Sequence, residues 1–517
     1  MSETLSNTKR IAKNTFALYA RTLVNLVVSL YTSRVVLATL GIEDYGIYGV
    51  VGGITGMLSF LNAAQSGATS RYISFDLGKK NENRLKETFG SALLVHIGIA
   101  LIVALLAETV GVWFLHHKLI IPEGRMNAAE WLLQISIISS AIGVIQTPFI
   151  SLIIAYEKMN IYAYIEMLYV FMKLGIVYLL LIGNFDKLIL YSILILAVVI
   201  IIFLIYLLYC FSQFHETRGK LLWGKDTIQS LLTFSGFNLF GNMGSVVNLQ
   251  GTNFAINMVF GVAYNAAAGI ASTVSGAVEG FASNIITAFR PQITKDYARE
   301  DFSSFEEFLD LAIKVILSIY CIVAIPVILE IDKLLDLWLA EVPVCTGIFC
   351  RFMLVNILFC TLRYIINIGI HATARVKVIS LFTGTLQILN PFVIWILYKR
   401  GMGVEYTYLS IIFVNIILSG ISFYLLHKYA PKVRVGHLVA SSVKTIMVCL
   451  MSMAISFFII RFIPSTIYRI VLTLLISFIC ILALSWCISL DNKQKTQVAA
   501  FIKSRIKNAN DEENPHS

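Results

Sequence analysis

The sequence is poor in charge. Of its 517 residues only 14% are Asp, Glu, Lys or Arg, against 58% hydrophobic, and the mean hydropathy is +0.80. Soluble domains carry about 25% charged residues, so a water-soluble globule is excluded. The motifs of several enzyme chemistries are missing as well. There is no Walker lysine loop, so the chain does not itself hydrolyse ATP, and neither a GxSxG elbow nor HxxxH spacing occurs. The eight cysteines form no CxxC. Cys210, Cys321, Cys360 and Cys480 fall in apolar stretches, and Cys345 and Cys350 do not pair by spacing. They read as small buried hydrophobes rather than metal ligands or disulfides. No enzymatic role and no cofactor is expected.

What the chain does have is long apolar runs from end to end. A bilayer core takes about 20 mostly apolar residues per helix, and only helices or closed barrels satisfy their backbone in hydrocarbon. Barrel strands alternate in polarity; the stretch 188–211 does not. The expected fold class is therefore an all-α polytopic membrane protein of about fourteen spans. These are predicted at 14–38, 45–66, 88–115, 129–155, 161–183, 188–211, 230–258, 262–288, 307–330, 343–371, 379–398, 405–427, 440–462 and 467–489. Lys9, Arg10 and Lys13 precede the first run, which reads as an uncleaved span.

The net charge of +10 does not point to nucleic acid, because the basic residues sit in short loops between spans. Arg71, Lys79, Arg84 and Lys86 follow the second span, Arg218 and Lys225 the sixth, Arg290, Lys295 and Arg299 the eighth, and Lys428, Lys432 and Arg434 the twelfth. By the positive-inside rule these loops and both termini are cytoplasmic. The loops on the other side are short, which disfavours a membrane glycosyltransferase or polymerase. The tail from Asp491 alternates basic residues with Val498, Phe501, Ile502 and Ile506; it suits either the anionic inner leaflet or a solvated tail.

A repeat runs through the chain at an offset near 220 residues. Gly41 ends span one, Arg71 follows, and Phe89 opens span three; Gly261, Arg290 and Phe308 take the same places later. The offset preserves orientation, implying two parallel six-helix bundles related by an axis along the membrane normal. The expected division is 1–211, a linker at 212–229, a second bundle at 230–427, two additional spans at 428–489 and a basic tail at 490–517. The substrate path is expected between the bundles. Small residues such as Gly46, Gly49, Gly52, Gly53 and Gly56 serve close helix approach.

Polar residues inside spans mark candidate sites. Arg21, Asn25 and Thr32 fall within about 40° on a helix, with Arg34 about 220° away from Arg21. Arg21 and Arg34 either line a cavity or snorkel to the interface. In span seven, Asn238, Asn242, Ser245 and Asn253 share an arc of about 80°, with Asn248, Gln250 and Asn257 nearby. A hydrated cavity wall and helix–helix hydrogen bonding are the two readings. Glu166 and Glu279 are the deepest carboxylates and the candidates for proton or sodium coupling, with Lys173 and Arg363 as possible partners.

One segment carries a family resemblance. The runs 33–41 (SRVVLATLG), 44–51 (DYGIYGVV) and 68–78 (ATSRYISFDLG) resemble the start of bacterial polysaccharide biosynthesis export proteins. These are O-antigen and lipopolysaccharide flippases of the multidrug/oligosaccharidyl-lipid/polysaccharide exporter superfamily. The resemblance is specific over roughly residues 10–90 and otherwise rests on layout. It implies a multi-pass protein of the bacterial inner membrane with two bundles that alternate access. The implied cargo is an undecaprenyl-diphosphate-linked oligosaccharide, with polysaccharide polymerase machinery as a further partner. The arginine spacing of the related lipid II flippase is not reproduced, so its arginines cannot be transferred. A diphosphate still needs fixed positive charge in a low-dielectric cavity. The substrate-binding candidates are Arg21, Asn25, Arg34, Asn238, Asn242, Ser245, Asn253, Lys173 and Arg363, with Arg71 and Arg290 at the cytoplasmic mouth. A multidrug antiporter of the same superfamily is the alternative, disfavoured by fourteen spans rather than twelve and by a cationic first bundle.

Overall fold

Apolar runs of this length leave the backbone no partner but itself, and the chain is helical accordingly. The computed structural model describes residues 2–79, 81–180, 185–218, 222–373, 375–464, 467–491 and 494–496. Within those ranges, side chains are described from residue 26 onward, except at 237, 238, 281, 284, 287, 288, 291 and 467. The long helices are α1 (Ser2–Met57), α2 (Ser59–Gly78), α3 (Glu82–Leu106), α5 (Met126–Ala155), α6 (Met159–Leu179), α7 (Lys187–Gln213), α8 (Lys225–Phe260) and α9 (Val262–Ala298). They continue as α10 (Phe302–Trp338), α11 (Thr346–Ala372), α12 (Lys377–Lys399), α13 (Glu405–Tyr429), α14 (Val435–Ile460) and α15 (Ile467–Leu484). A π-helical turn, Ala107–Gly111, joins α3 to the short α4 (Val112–His117). Among the described residues there is no strand.

Each of the fourteen predicted spans falls on helix. Eleven helices among the described residues are long and apolar enough to cross a membrane. The long helices not in that count are α2, α8 and α9; amides and small residues lower the hydropathy of α8 and α9. Low hydropathy in a long helix means a face that is not for lipid.

The repeat has a conformational signature. Gly41 lies at φ 82°, ψ 170° inside α1, and Gly261, between α8 and α9, lies at φ 82°, ψ −177°. Both are in backbone that strains any residue with a Cβ, so the two halves reverse direction between consecutive spans in the same way.

The chain forms two compact units. The first comprises Met1–Ala277, Leu335–Met353 and Lys377–Val414; the second comprises Val278–Leu334, Leu354–Val376 and Asn415–Ser517. In the first, Leu152, Ile153, Val177, Leu180 and Tyr206 form one apolar core, and Ile47, Val50, Val51, Leu115 and Leu132 another. α8 packs on α12 through glycine: a Cβ on Gly244 would stand 2.5 Å from the Cα of Gly384. Polar side chains join the same pair. Ser245 Oγ donates to Gln387 Oε1 at 3.0 Å, and Asn390 Nδ2 donates to Asn248 Oδ1 at 2.8 Å.

In the second unit, charge pairs tie α15 and the residues after it to α10. α10 contains Pro326 and bends at Glu330, where Arg469 donates to the carboxylate at 2.6 Å and Thr473 at 3.2 Å. Lys314 pairs with Asp310 at 2.7 Å and with Asp491 at 3.2 Å. Glu306 holds Arg434 at 3.1 Å. Pairing of this kind offsets the cost of burying charge in a membrane protein. The tail from residue 497, expected at the leaflet or in solvent, lies outside the described residues.

Candidate functional site

α6 carries two charges in a mostly apolar helix, Glu166 and Lys173. Seven residues make nearly two full turns, so both project from one face, about 10 Å apart along the axis. Each enters a cavity of the first unit.

Lys173 lines a cavity of about 330 Å³ with Ser29, Thr32 and Ser33 of α1 and with Tyr45, Tyr48, Tyr169 and Tyr191. The lysine Nζ lies 5.3 Å from the centre of the Tyr169 ring. Tyr48 and Tyr191 meet edge to face at 5.2 Å. No carboxylate among the described residues lines this cavity. Beside apolar Val28, Val36 and Val170, an ammonium among seven hydroxyls offers positive charge and adaptable hydrogen-bonding groups, which is the chemistry that receives an oxyanion.

Glu166 lines a larger cavity of about 670 Å³, and Tyr48 and Tyr169 line both. Its walls combine hydroxyls (Thr55, Ser136, Ser139, Ser140, Ser192, Ser272) and amides (Gln146, Gln250, Asn253) with apolar Leu132, Ile135, Ile195, Val199, Ile202 and Leu249. Gly49, Gly52 and Gly53 of α1 supply bare backbone. A Cβ on Gly53 would come 2.8 Å from Gln250 Oε1, so glycine there lets α1 and α8 close on the amide. The buried Ser139 Oγ has no hydrogen-bond partner. Glu166 is the one charged residue of this lining among the described residues, and it accepts a hydrogen bond from Tyr206 at 3.2 Å. Many donors and acceptors with almost no charge suit a polyhydroxylated, uncharged ligand.

The candidates from sequence therefore separate. Glu166 and Asn253 share the larger cavity, and Lys173 lies in the adjoining one. Asn242 is half-buried and Arg34 exposed, and neither lines these cavities. Ser245 and Asn248 serve the helix–helix reading on α12, whereas Gln250 and Asn253 serve the cavity reading. Asn257 is used locally: its Nδ2 donates to the Ile120 carbonyl and its Oδ1 accepts from the Ile120 N–H. Arg21, Asn25 and Asn238 lie outside the described side chains.

Arg71 is exposed, its guanidinium 4.5 Å from the Phe234 ring centre, and Arg290 is exposed on α9. Arg363 and Glu279 belong to the second unit. Arg363 is only 4% exposed, with Nε unpartnered, and stacks at 5.2 Å on Tyr364. Glu279 is half-buried. The tyrosines around Lys173 were not singled out from sequence. The available signal was the spacing of Tyr169 and Lys173, and of Tyr45 and Tyr48, at four and three residues, which places each pair on one helix face.

At one end of these helices Arg125 clamps two acids. It donates to Asp44 at 2.8 and 2.6 Å and to Asp186 at 2.5 and 3.2 Å. Asp186 also caps α7, accepting from the Leu188 and Ile189 N–H groups at 3.0 and 3.2 Å. Partial burial raises the pKa of Asp186, but the Arg125 and backbone hydrogen bonds outweigh it and hold the carboxyl below its ordinary value.

A family described as MatE matches over residues 19–179. No curated protein matches the sequence. Several solved structures share the fold. The inward closed conformation of the lipid II flippase MurJ superposes with a TM-score of 0.69 at 14% identity, covering 92% of this chain and 98% of that one. An inward-facing multidrug resistance MATE family transporter of the MOP superfamily gives 0.64 at 12% identity over 82% of this chain and 96% of that one. A MOP superfamily transporter from Pyrococcus furiosus, described as having a binding pocket of reverse polarity, gives 0.57 at 12% identity, with 82% and 96% coverage. The chain thus has the helical membrane transporter fold that these proteins share.

Proposed function

We propose that this protein is a flippase that carries an undecaprenyl-diphosphate-linked oligosaccharide, an O-antigen unit or a related one, from the inner to the outer leaflet of a bacterial inner membrane. The observation that carries this reading is Lys173, set among hydroxyls in a cavity that no carboxylate of the described residues lines, beside a larger cavity of mixed apolar, hydroxyl and amide lining with one charged residue among those described. A diphosphate leaving water must exchange its hydration for fixed charge and donors, and Lys173 with the hydroxyls of Tyr48, Tyr169 and Thr32 offers both. The glycan would occupy the amide- and hydroxyl-lined space. Transport would proceed by alternating access without covalent chemistry on the cargo. It would draw on a proton or sodium gradient through Glu166 or Glu279, and deliver to polymerase machinery outside. The lipid II flippase among the solved structures of this fold is consistent with such a cargo.

The test is transport in proteoliposomes with a fluorescent polyprenyl-diphosphate saccharide. Lys173→Ala should reduce transport at least about tenfold and Lys173→Arg should retain most of it, because a phosphate contact made only in the cavity is lost with the charge. Normal transport by a correctly folded Lys173→Ala protein refutes the headgroup site.

Glu166 favours a second reading, a multidrug antiporter, because a carboxylate in a roomy cavity also attracts organic cations. In that case Glu166→Gln abolishes drug efflux, while Lys173→Ala leaves it intact.

A further inference from the structure

We propose that Glu166 is a specificity-determining residue that rejects cargo whose sugar attached directly to the diphosphate is acidic. This deepens the flippase reading and rests on it.

The argument is one of placement. Lys173 and Glu166 lie on one face of α6, about 10 Å apart along the helix. Each is the only charged residue lining its cavity among the described residues, and Tyr48 and Tyr169 stand in both walls. A diphosphate drawn to Lys173 leaves its first sugar about two helical turns away, against Glu166. There the wall can exchange hydrogen bonds with hydroxyl and acetamido groups through Gln146, Gln250 and Asn253. A carboxylate also accepts hydrogen bonds readily from sugar hydroxyls. A uronic or other acidic sugar would bring a second anion against Glu166, and no cation among the described residues of that lining offsets it. Tyr206 leaves the carboxylate anchored but not neutralised. Discrimination of this kind works by repulsion of the wrong cargo as much as by attraction of the right one.

The experiment compares binding of two probes to the full chain in nanodiscs. One is a short polyprenyl diphosphate bearing N-acetylglucosamine; the other is its glucuronic acid counterpart. The wild type should bind the first at least about tenfold more tightly, the scale set by like-charge juxtaposition in a partly hydrated cavity. Glu166→Gln should reduce that ratio to within about threefold, through tighter binding of the glucuronic acid probe. Tyr206→Phe, which keeps the charge and removes the anchor, should keep the ratio. Equal binding of both probes by the wild type overturns the proposal, as does a ratio unchanged in Glu166→Gln or one lost equally in Tyr206→Phe. Failure of the wild type to bind either probe refutes the flippase reading instead, and the proposal falls with it. Loss of both probes only in Lys173→Ala leaves that reading standing, and the Glu166→Gln ratio then decides.

Discussion

Arg125 and Asp186 illustrate how a single pair of side chains holds distant segments together. Arg125 reaches an acid 81 residues away and another 61 residues away, and neither spacing leaves a mark in sequence. Asp186 has a depressed pKa, so its contribution to stability is complete above the unfolded value of about 3.9 and is lost as pH falls through the lower folded value. Asp186→Asn keeps a competent helix cap but removes the charge. It should lower stability near neutral pH by about 1 kcal/mol at most, because the pair is partly solvated. The gap to wild type should close as the medium is taken below the carboxylate range. Thermal unfolding of the purified protein at neutral and acidic pH measures this; a gap that persists in acid would assign the effect to packing. Glu166 and Lys173 were visible from sequence because charge is rare in spans. Their tyrosine neighbours were not, because tyrosine is ordinary in membrane helices, and only the fold gathers four of them around one ammonium.

At the scale of elements, α8 divides its polar residues between two tasks. Ser245 and Asn248 bond to α12, Gln250 and Asn253 line the cavity, and Asn257 holds the chain at Ile120. The sequence showed an amide-rich helix but not this division, because azimuth around a helix says which residues share a face and not what that face meets. The α8–α12 contact makes a second prediction. Gly244→Ala would put a methyl group 2.5 Å from backbone of Gly384, where nothing flexible can yield. Overpacking of this kind costs about 1–3 kcal/mol. Gly276→Ala, with nothing within 4 Å of its Cβ, should be neutral or slightly stabilising as a helical alanine. The thermal midpoints of the two variants should therefore part. Equal midpoints would show that the helices slide apart at no cost.

For the whole molecule, the basic loops imply that both termini face the cytoplasm, and two native cysteines can report on it. Cys345, in the loop before α11, belongs to the outer side on that orientation, while the exposed Cys487 lies at the end of the last span and belongs to the inner side. A membrane-impermeant maleimide should label Cys345 in intact spheroplasts and Cys487 only after permeabilisation. Burial, with a smaller effect from Glu405, raises the Cys345 pKa above the ordinary thiol value. Its labelling should therefore quicken as pH rises through and beyond that value, since the thiolate is the nucleophile. The reverse pattern of access would invert the topology.

Hydrophobic length, the rarity of charge and the repeated glycines at 41 and 261 were enough to establish a many-span helical protein with two matching stretches. Hydrocarbon admits so few backbone solutions that composition alone selects among them. Which polar residue faces a cavity, a neighbouring helix or an ion pair was decided only by tertiary structure. Lys173, Ser245 and Arg125 are alike in being polar residues of a membrane protein, and they part company only when segments tens of residues away arrive beside them. Local sequence carries helix azimuth but not the identity of the neighbour, and the chemistry of a site is set by the neighbour.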